Sequence, residues 1–375
     1  MKICLLTSYP PDRCGVSDYS ERLVVELKKS GNEVMIISRD GERVKGEKNV
    51  ERFIATKKVK RSLTQIAEEL KGMDRAKKDA DKTLEIINNF GADLVHIQYE
   101  PGLYNLFFVP MLLHKLKKLK IKSVVTLHAM DYFPLNVFHR TFLYRKPDKI
   151  IVHTKTHYEI LRDSLPKRIT GKIEMIPMGL VKEKTGKDGN YILFFGFLNQ
   201  HKGVEELLNA FSKSDTKAKL LIIGSINPIY KTDVEYKNKI EGMIKSLDIG
   251  DRVKFIHDFV PSGKLENYIR DSMFVVFPYR SSYSGGQSQA ILDSLVFGKP
   301  LIVTKQARGN LVDGKNAIVV NPGNVNELRD AIQRLAGSKK FRMTFSINNR
   351  KLAKELRWSN IAKLTAGVYN ELLSS

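Results

Sequence analysis

At 375 residues and 42% apolar content, the chain is long enough for two ordinary domains with cores of their own, which argues against a disordered protein. The formal charge of +22 is spread evenly, with 34 basic against 22 acidic residues up to position 182 and 29 against 19 beyond. It is therefore no basic tail, and with no aromatic and basic recognition motif beside it, nucleic acid is not an expected partner. Two cysteines, Cys4 and Cys14, make neither a disulfide framework nor a metal cluster. The early apolar run at residues 3–6 is too short for a secretory leader, and no stretch reaches the ~18 apolar residues of a membrane span, so the expected location is the cytoplasm.

In chain order, residues 2–8 form an apolar strand leading into a loop with Cys14 and Gly15, after which Tyr19, Leu23, Val24 and Leu27 recur at helical spacing. Neither the three-glycine dinucleotide fingerprint nor a P-loop is present, so NAD binding and ATP hydrolysis are not supported. A second strand at 33–38 and a helix from about 75 to 90 precede the strand at 94–99, which runs out through Gln98 into Glu100. The strand at 123–127 delivers His128 at its end, where an imidazole can hydrogen-bond a hydroxyl or take a proton. Residues 149–153 and 173–177 are further strands, and the polar stretch 181–190 reads as a linker.

The second half repeats the alternation. Strands at 191–197, 219–224, 253–257 and 273–277 are separated by helices, and Lys202 and Gly203 stand immediately before a helix start, well placed for a diphosphate. Residues 277–304 read as strand, loop of Ser, Gly and Gln, helix, Gly298-Lys299-Pro300 and strand. Small polar residues and free amides at such a helix start suit a phosphate-bearing ligand. The expected fold class is α/β, with two doubly wound, parallel-sheet (Rossmann-like) domains facing across a cleft.

Taken as an ordered set, SYPPDRCGVSDYSERL, TLHAMD, KIEMIPMGL, FFGFLNQHKGVEELLNAF, the 277–304 block and ELRWSNIAKLTAGVYNELL resemble glycosyltransferase family 4, retaining enzymes of the GT-B fold. The resemblance implies an acceptor-binding domain at 1–182, a nucleotide-sugar-binding domain at 190–355 and a last helix, 356–375, crossing back to the first. It implies transfer of a hexose-type sugar from a nucleoside-diphosphate sugar to a hydroxyl acceptor, sugar, lipid-linked or glycan, with no metal and no cofactor.

His128 and Lys202 would be the catalytic pair. The donor would meet Gly15, Lys202, Gly203, Gly286, Gln287, Ser288, Gln289, Ala290 and Asp293, and the acceptor side would include Arg13, Gln98 and Glu100. The paired glutamates usual in the family fall here on Gly285 and Asp293, and the usual arginine before Lys-Gly is Phe197, which leaves Gln287 or Gln289 to supply the missing sugar contact. The alternative is a nucleotide-sugar-binding protein that has lost the chemistry. Residues 106–122 interleave apolar residues with lysines, so they form either a core helix with a basic exposed end or a helix resting peripherally on anionic membrane at the inner face.

Overall fold

The computed structural model describes the whole chain except residues 13, 43, 45, 56–70, 130–142, 226–232, 259, 281–287 and 375. Two units separate by contact, one comprising Met1–Gly179 with Trp358–Ser375 and the other Leu180–Arg357.

Unit 1 runs β1 (Lys2–Thr7), α1 (Gly15–Lys29), β2 (Glu33–Arg39), β3 (Val50–Ile54), α2 (Met73–Phe90), β4 (Leu94–Tyr99), α3 (Phe108–Lys118), β5 (Lys122–Leu127), β6 (Lys149–Val152), α4 (Lys155–Ser164), the single-turn α5 (Lys167–Thr170) and β7 (Ile173–Met175). Its strands pair in parallel in the order β3-β2-β1-β4-β5-β6-β7. Because helices cover both faces, the strands are apolar almost throughout: Ile3 to Leu6 are all fully buried, as are Val124 and Val125.

β3 is hidden in the sequence because Glu51 and Arg52 interrupt its apolar pattern. Arg52 is nevertheless buried, since its guanidinium donates to the Glu47 carboxylate and to the carbonyls of Tyr9 and Pro10. α3 buries Phe108, Val109, Leu112, Leu113 and Leu116, while Lys117, Lys118 and Lys120 stay exposed. Most of its apolar face therefore belongs to the core, as expected of a core helix with a basic exposed end, and Leu119 is exposed just beyond it.

Unit 2 runs β8 (Tyr191–Phe197), a 3-10 turn (Gln200–Lys202), α6 (Val204–Ser212), β9 (Lys219–Ser225), α7 (Asp233–Ser246), β10 (Val253–Ile256), α8 (Ser262–Arg270), β11 (Phe274–Phe277), α9 (Gln289–Val296), β12 (Leu301–Thr304), β13 (Ala317–Val320), α10 (Val325–Gly337) and α11 (Lys339–Glu355). The sheet order is β10-β9-β8-β11-β12-β13, again all parallel. α10 opens on a reciprocal cap in which Asn324 accepts from the Glu327 amide and donates back to its carboxylate.

The stretch expected to be a linker is instead tied along unit 2. Lys184 and Lys187 donate their amides to Val296 and Arg270, Asp188 pairs with Arg342, and the buried Lys299 ammonium donates to the carbonyls of Lys187 and Ser272. Its polar side chains serve these bonds rather than solvent, which explains the lack of an apolar pattern.

The chain then returns to unit 1 as α12 (Trp358–Ser374), which lies against α1. Trp358 packs edge-on to Tyr19 at 4.9 Å and covers Gly179, where a Cβ would fall 2.3 Å from the indole. Among the described residues no helix is long and apolar enough to cross a membrane.

Candidate functional site

In unit 2 the chemistry gathers where β8 and β11 end. After Phe197, which is 53% exposed, the chain makes the turn that carries Lys202 and enters α6 through Gly203. Gly203 has φ +67°, and a Cβ there would lie 1.9 Å from the carbonyl oxygen of Pro278. Only glycine lets this turn close on the end of β11. The Arg280 amide completes the closure by donating to the His201 carbonyl at 2.8 Å.

The Lys202 ammonium stands 3.8 Å from the centroid of the Tyr279 ring. Burial lowers its pKa to about 8, so it stays mostly protonated at neutral pH. The neighbouring guanidinium of Arg280 is neutralised by Glu205 and Glu206, whereas the described structure gives Lys202 no carboxylate partner. Tyr279 also reaches Ser288, hydroxyl to hydroxyl, at 3.2 Å. Ser288 is the N-cap of α9 and its side chain caps no amide, so the first amides of that helix are open to an anion. A cation and a helix N-terminus are thus linked through one tyrosine that the sequence reading did not single out. Its signal was modest, an aromatic two positions beyond a buried strand.

Of the other residues expected on the donor side, Gln289 is exposed and donates to the Asp293 carboxylate one turn along α9 at 2.8 Å, and Ala290 follows in the first turn. Gly286 and Gln287 lie outside the described residues, as do Gly285 and, in unit 1, Arg13.

In unit 1, His128 follows β5 directly and its amide donates to the Tyr99 carbonyl. Its Nε2 is 2.8 Å from Gln98 Oε1, and its ring sits 4.7 Å from Tyr19, nearly perpendicular, and 4.9 Å from His153. Burial first, then the nearby His153 and His96, hold its pKa well below the ordinary histidine value, so the ring is neutral at pH 7. It suits exchange of hydrogen bonds with a hydroxyl better than electrostatic attraction of an anion.

Gln98, expected on the acceptor side, is fully buried and bonded to His128, while Glu100 beyond it is half-buried with its carboxyl pKa raised by desolvation. Gly15 opens α1, and a Cβ there would meet nothing within 4 Å. Among the described residues no packing contact demands glycine at that position. Among the described residues no three His, Cys, Asp or Glu side chains gather as a metal-ligand group.

This pairing of doubly wound units is the GT-B arrangement of glycosyltransferases at the level of fold. The chain matches the family model "Glycosyltransferase Family 4" over residues 14–184 and "Glycosyl transferases group 1" over residues 180–352. It therefore belongs to glycosyltransferase family 4 and is a glycosyltransferase. An uncharacterized glycosyltransferase of Methanocaldococcus jannaschii is 26% identical over 296 residues, covering 76% of this chain and 78% of the relative.

Among solved structures, sucrose-phosphate synthase from Thermosynechococcus elongatus superposes with TM-score 0.74 at 18% identity, covering 100% of this chain and 99% of the other. The Anabaena protein HepE in complex with UDP superposes with TM-score 0.72 at 14% identity, covering 99% and 100%; the same protein in complex with UDP-glucose gives 0.66.

Proposed function

We propose that this chain transfers a hexose-type sugar from a nucleoside-diphosphate sugar to a hydroxyl acceptor, with retention at the anomeric carbon and without a metal ion. The observation that carries the proposal is Lys202, a half-buried cation over Tyr279 with no carboxylate partner in the described structure, linked through that ring to the uncapped start of α9. Such an arrangement is built for a diphosphate, and the complexes of HepE with UDP and UDP-glucose support a donor of that class.

In the reaction the bond from the anomeric carbon to the diphosphate breaks and a new one to the acceptor oxygen forms on the same face. The acceptor's proton passes to the departing diphosphate. Lys202 and the α9 amides stabilise the charge that develops on that leaving group, and this is where most of the rate acceleration would arise. Gly15 leaves room for a ligand at the start of α1, and the neutral imidazole of His128 offers a hydrogen bond to a sugar hydroxyl.

The exposed lysines of α3 add electrostatic attraction to an anionic membrane carrying a lipid-linked acceptor; sedimentation of the protein away from anionic vesicles removes that element. A panel of UDP-, GDP- and ADP-sugars in thermal unfolding identifies the donor, because a ligand of the folded state raises its stability. With that donor and EDTA present, Lys202→Ala should lower kcat about 100- to 1,000-fold. Unchanged turnover in this variant rules out the role given to Lys202.

Phe197, exposed where the family usually has an arginine, favours one second reading, a protein that binds the nucleotide sugar without transferring it. Donor binding with neither transfer nor donor hydrolysis across a broad acceptor set selects that reading.

A further inference from the structure

We propose that Gln98 is a positioning residue for His128, holding its imidazole as the Nε2–H tautomer and leaving Nδ1 as the ring's hydrogen-bond acceptor. The proposal rests on the glycosyl-transfer reading only for its effect on rate.

The argument begins with strand parity. His96 and Gln98, two apart on β4, share a face of the sheet, and the register places Gln98 beside Thr126 of β5. Thr126 and His128 are likewise two apart, so four polar side chains occupy one face near the strand ends. His96, Gln98 and Thr126 are each fully buried, and Tyr369 of α12, also fully buried, lies against them. Every polar atom in such a place needs a partner, because a buried unsatisfied donor or acceptor is costly.

The bonds fix the order. Gln98 Oε1 is 2.8 Å from His128 Nε2, and an amide oxygen only accepts, so His128 Nε2 carries the proton. Gln98 Nε2, which only donates, lies 3.2 Å from His96 Nε2 and 3.4 Å from its Nδ1. His96 is neutral, its pKa brought down to about 3 by burial, and so it has one bare nitrogen to receive that donation. Tyr369 Oη stands 2.6 Å from its Nδ1 and the Thr126 hydroxyl 2.7 Å from its Nε2, and either hydroxyl can give or take a proton there. A chain of bonds thus runs from the last helix through His96 and Gln98 to His128. Rotating the Gln98 amide would reverse the proton between it and His128, so the tautomer of His128 and the orientation of Gln98 are one choice.

Among the described residues, the other groups facing His128 do not compete for this proton. Tyr19 and His153 meet it ring to ring, and burial holds the Tyr19 phenol protonated and His153 neutral at pH 7.

Nitrogen-15 NMR of histidine-labelled protein tests the assignment without any substrate. The expected spectrum of the unaltered protein shows His128 as a single Nε2–H tautomer with a slowly exchanging ring proton; a His128 signal of the Nδ1–H form overturns the proposal. In Gln98→Met the protected proton should vanish and, once a donor is known, kcat should fall about 10- to 100-fold with the donor KM changed less than about threefold. A protected proton surviving in the folded variant overturns it. Should the thioether not fold, Gln98→Glu keeps the acceptor. It should retain the Nε2–H proton and raise the His128 pKa, giving kcat a new acidic limb, and a mixed tautomer there refutes the proposal. If transfer itself is never observed, the ring-proton experiments still decide between the two orientations.

Discussion

The two sheet ends use the same topology for opposite electrostatic tasks. In unit 1 the polar groups near the ends of β4 and β5 are neutral and packed together: His96, Gln98, Thr126 and Tyr369 are buried and join the half-buried His128 through hydrogen bonds, while Tyr19 and His153 meet His128 ring to ring. In unit 2 the groups beyond β8 and β11 are an ammonium without a carboxylate partner in the described structure and a helix start without a side-chain cap. The first is satisfied before any ligand arrives, so it can present a fixed donor and acceptor to a hydroxyl. The second is incomplete in charge, so an anion completes it. The lesson is that parallel-strand ends supply access, while the surrounding residues decide whether the site recognises shape or charge.

The largest expected effect is an acid sensitivity of unit 1 that begins just below neutrality. His96 and His153 have pKa values lowered to about 3 and about 4, and His128 lies well below the ordinary value of 6.5, all primarily through burial. The unfolded chain therefore takes up these protons first. Stability from the neutral rings is fully present above pH 6.5 and is lost as pH falls toward 4, at about 1.4 kcal/mol per pH unit for each histidine. In unit 2, Lys202 and Lys299, with pKa values lowered to about 8, are protonated in both states throughout this range, and the lowered carboxylates Glu183, Glu205, Asp271 and Glu327 begin to lose their contribution only at its acid end. The single tryptophan, Trp358, sits in unit 1 against Tyr19, so its fluorescence follows that unit alone. Denaturation midpoints that do not move between pH 7 and pH 4.5 would break the contrast.

Next in size is Gly203→Ala. A Cβ forced within 1.9 Å of the Pro278 carbonyl at a left-handed φ should destabilise unit 2 by about 2–4 kcal/mol and displace Lys202 from Tyr279. Calorimetry should show the unit 2 transition lowered while the Trp358 signal keeps its midpoint. A smaller effect separates the two functions of Tyr279. Tyr279→Leu removes the ring beneath the ammonium, worth about 0.5–2 kcal/mol, and should weaken nucleotide-sugar binding up to about thirtyfold. Tyr279→Phe keeps the ring and loses only the Ser288 bond, so its loss should be several-fold smaller. Equal losses in the two variants would mean that the Ser288 bond, and not the cation over the ring, matters.

Much of the fold was legible because parallel strands covered on both faces must be apolar, which makes β1, β5, β8 and β12 visible as blocks. β3 was not, since burying Arg52 depends on Glu47 and on carbonyls of a loop some forty residues earlier in the chain. Strand-end residues such as His128 and Gln98 could be picked out by position. What the sequence could not show was parity across strands: the β4 and β5 register places Gln98 beside Thr126 and within a hydrogen bond of His128. Tyr279 was missed for a related reason. Its ring has meaning only once the Gly203 turn brings Lys202 over it.

The smallest expected effect on stability is the most direct comparison of the two glycines. Gly203 is required by the fold, whereas Gly15 has no left-handed φ and a Cβ there meets nothing within 4 Å. Gly15→Ala should therefore leave the Trp358 unfolding midpoint within about 0.5 kcal/mol of the starting protein, since alanine suits a helix better than glycine. If glycine stands at the start of α1 to let a ligand approach the backbone amides, the cost must appear in binding instead, as about a tenfold weaker affinity for the nucleotide sugar or acceptor. Lost stability with unchanged affinity would reverse the argument, giving Gly15 a structural role and leaving the neutral network around His128 as the part of unit 1 to which a ligand responds.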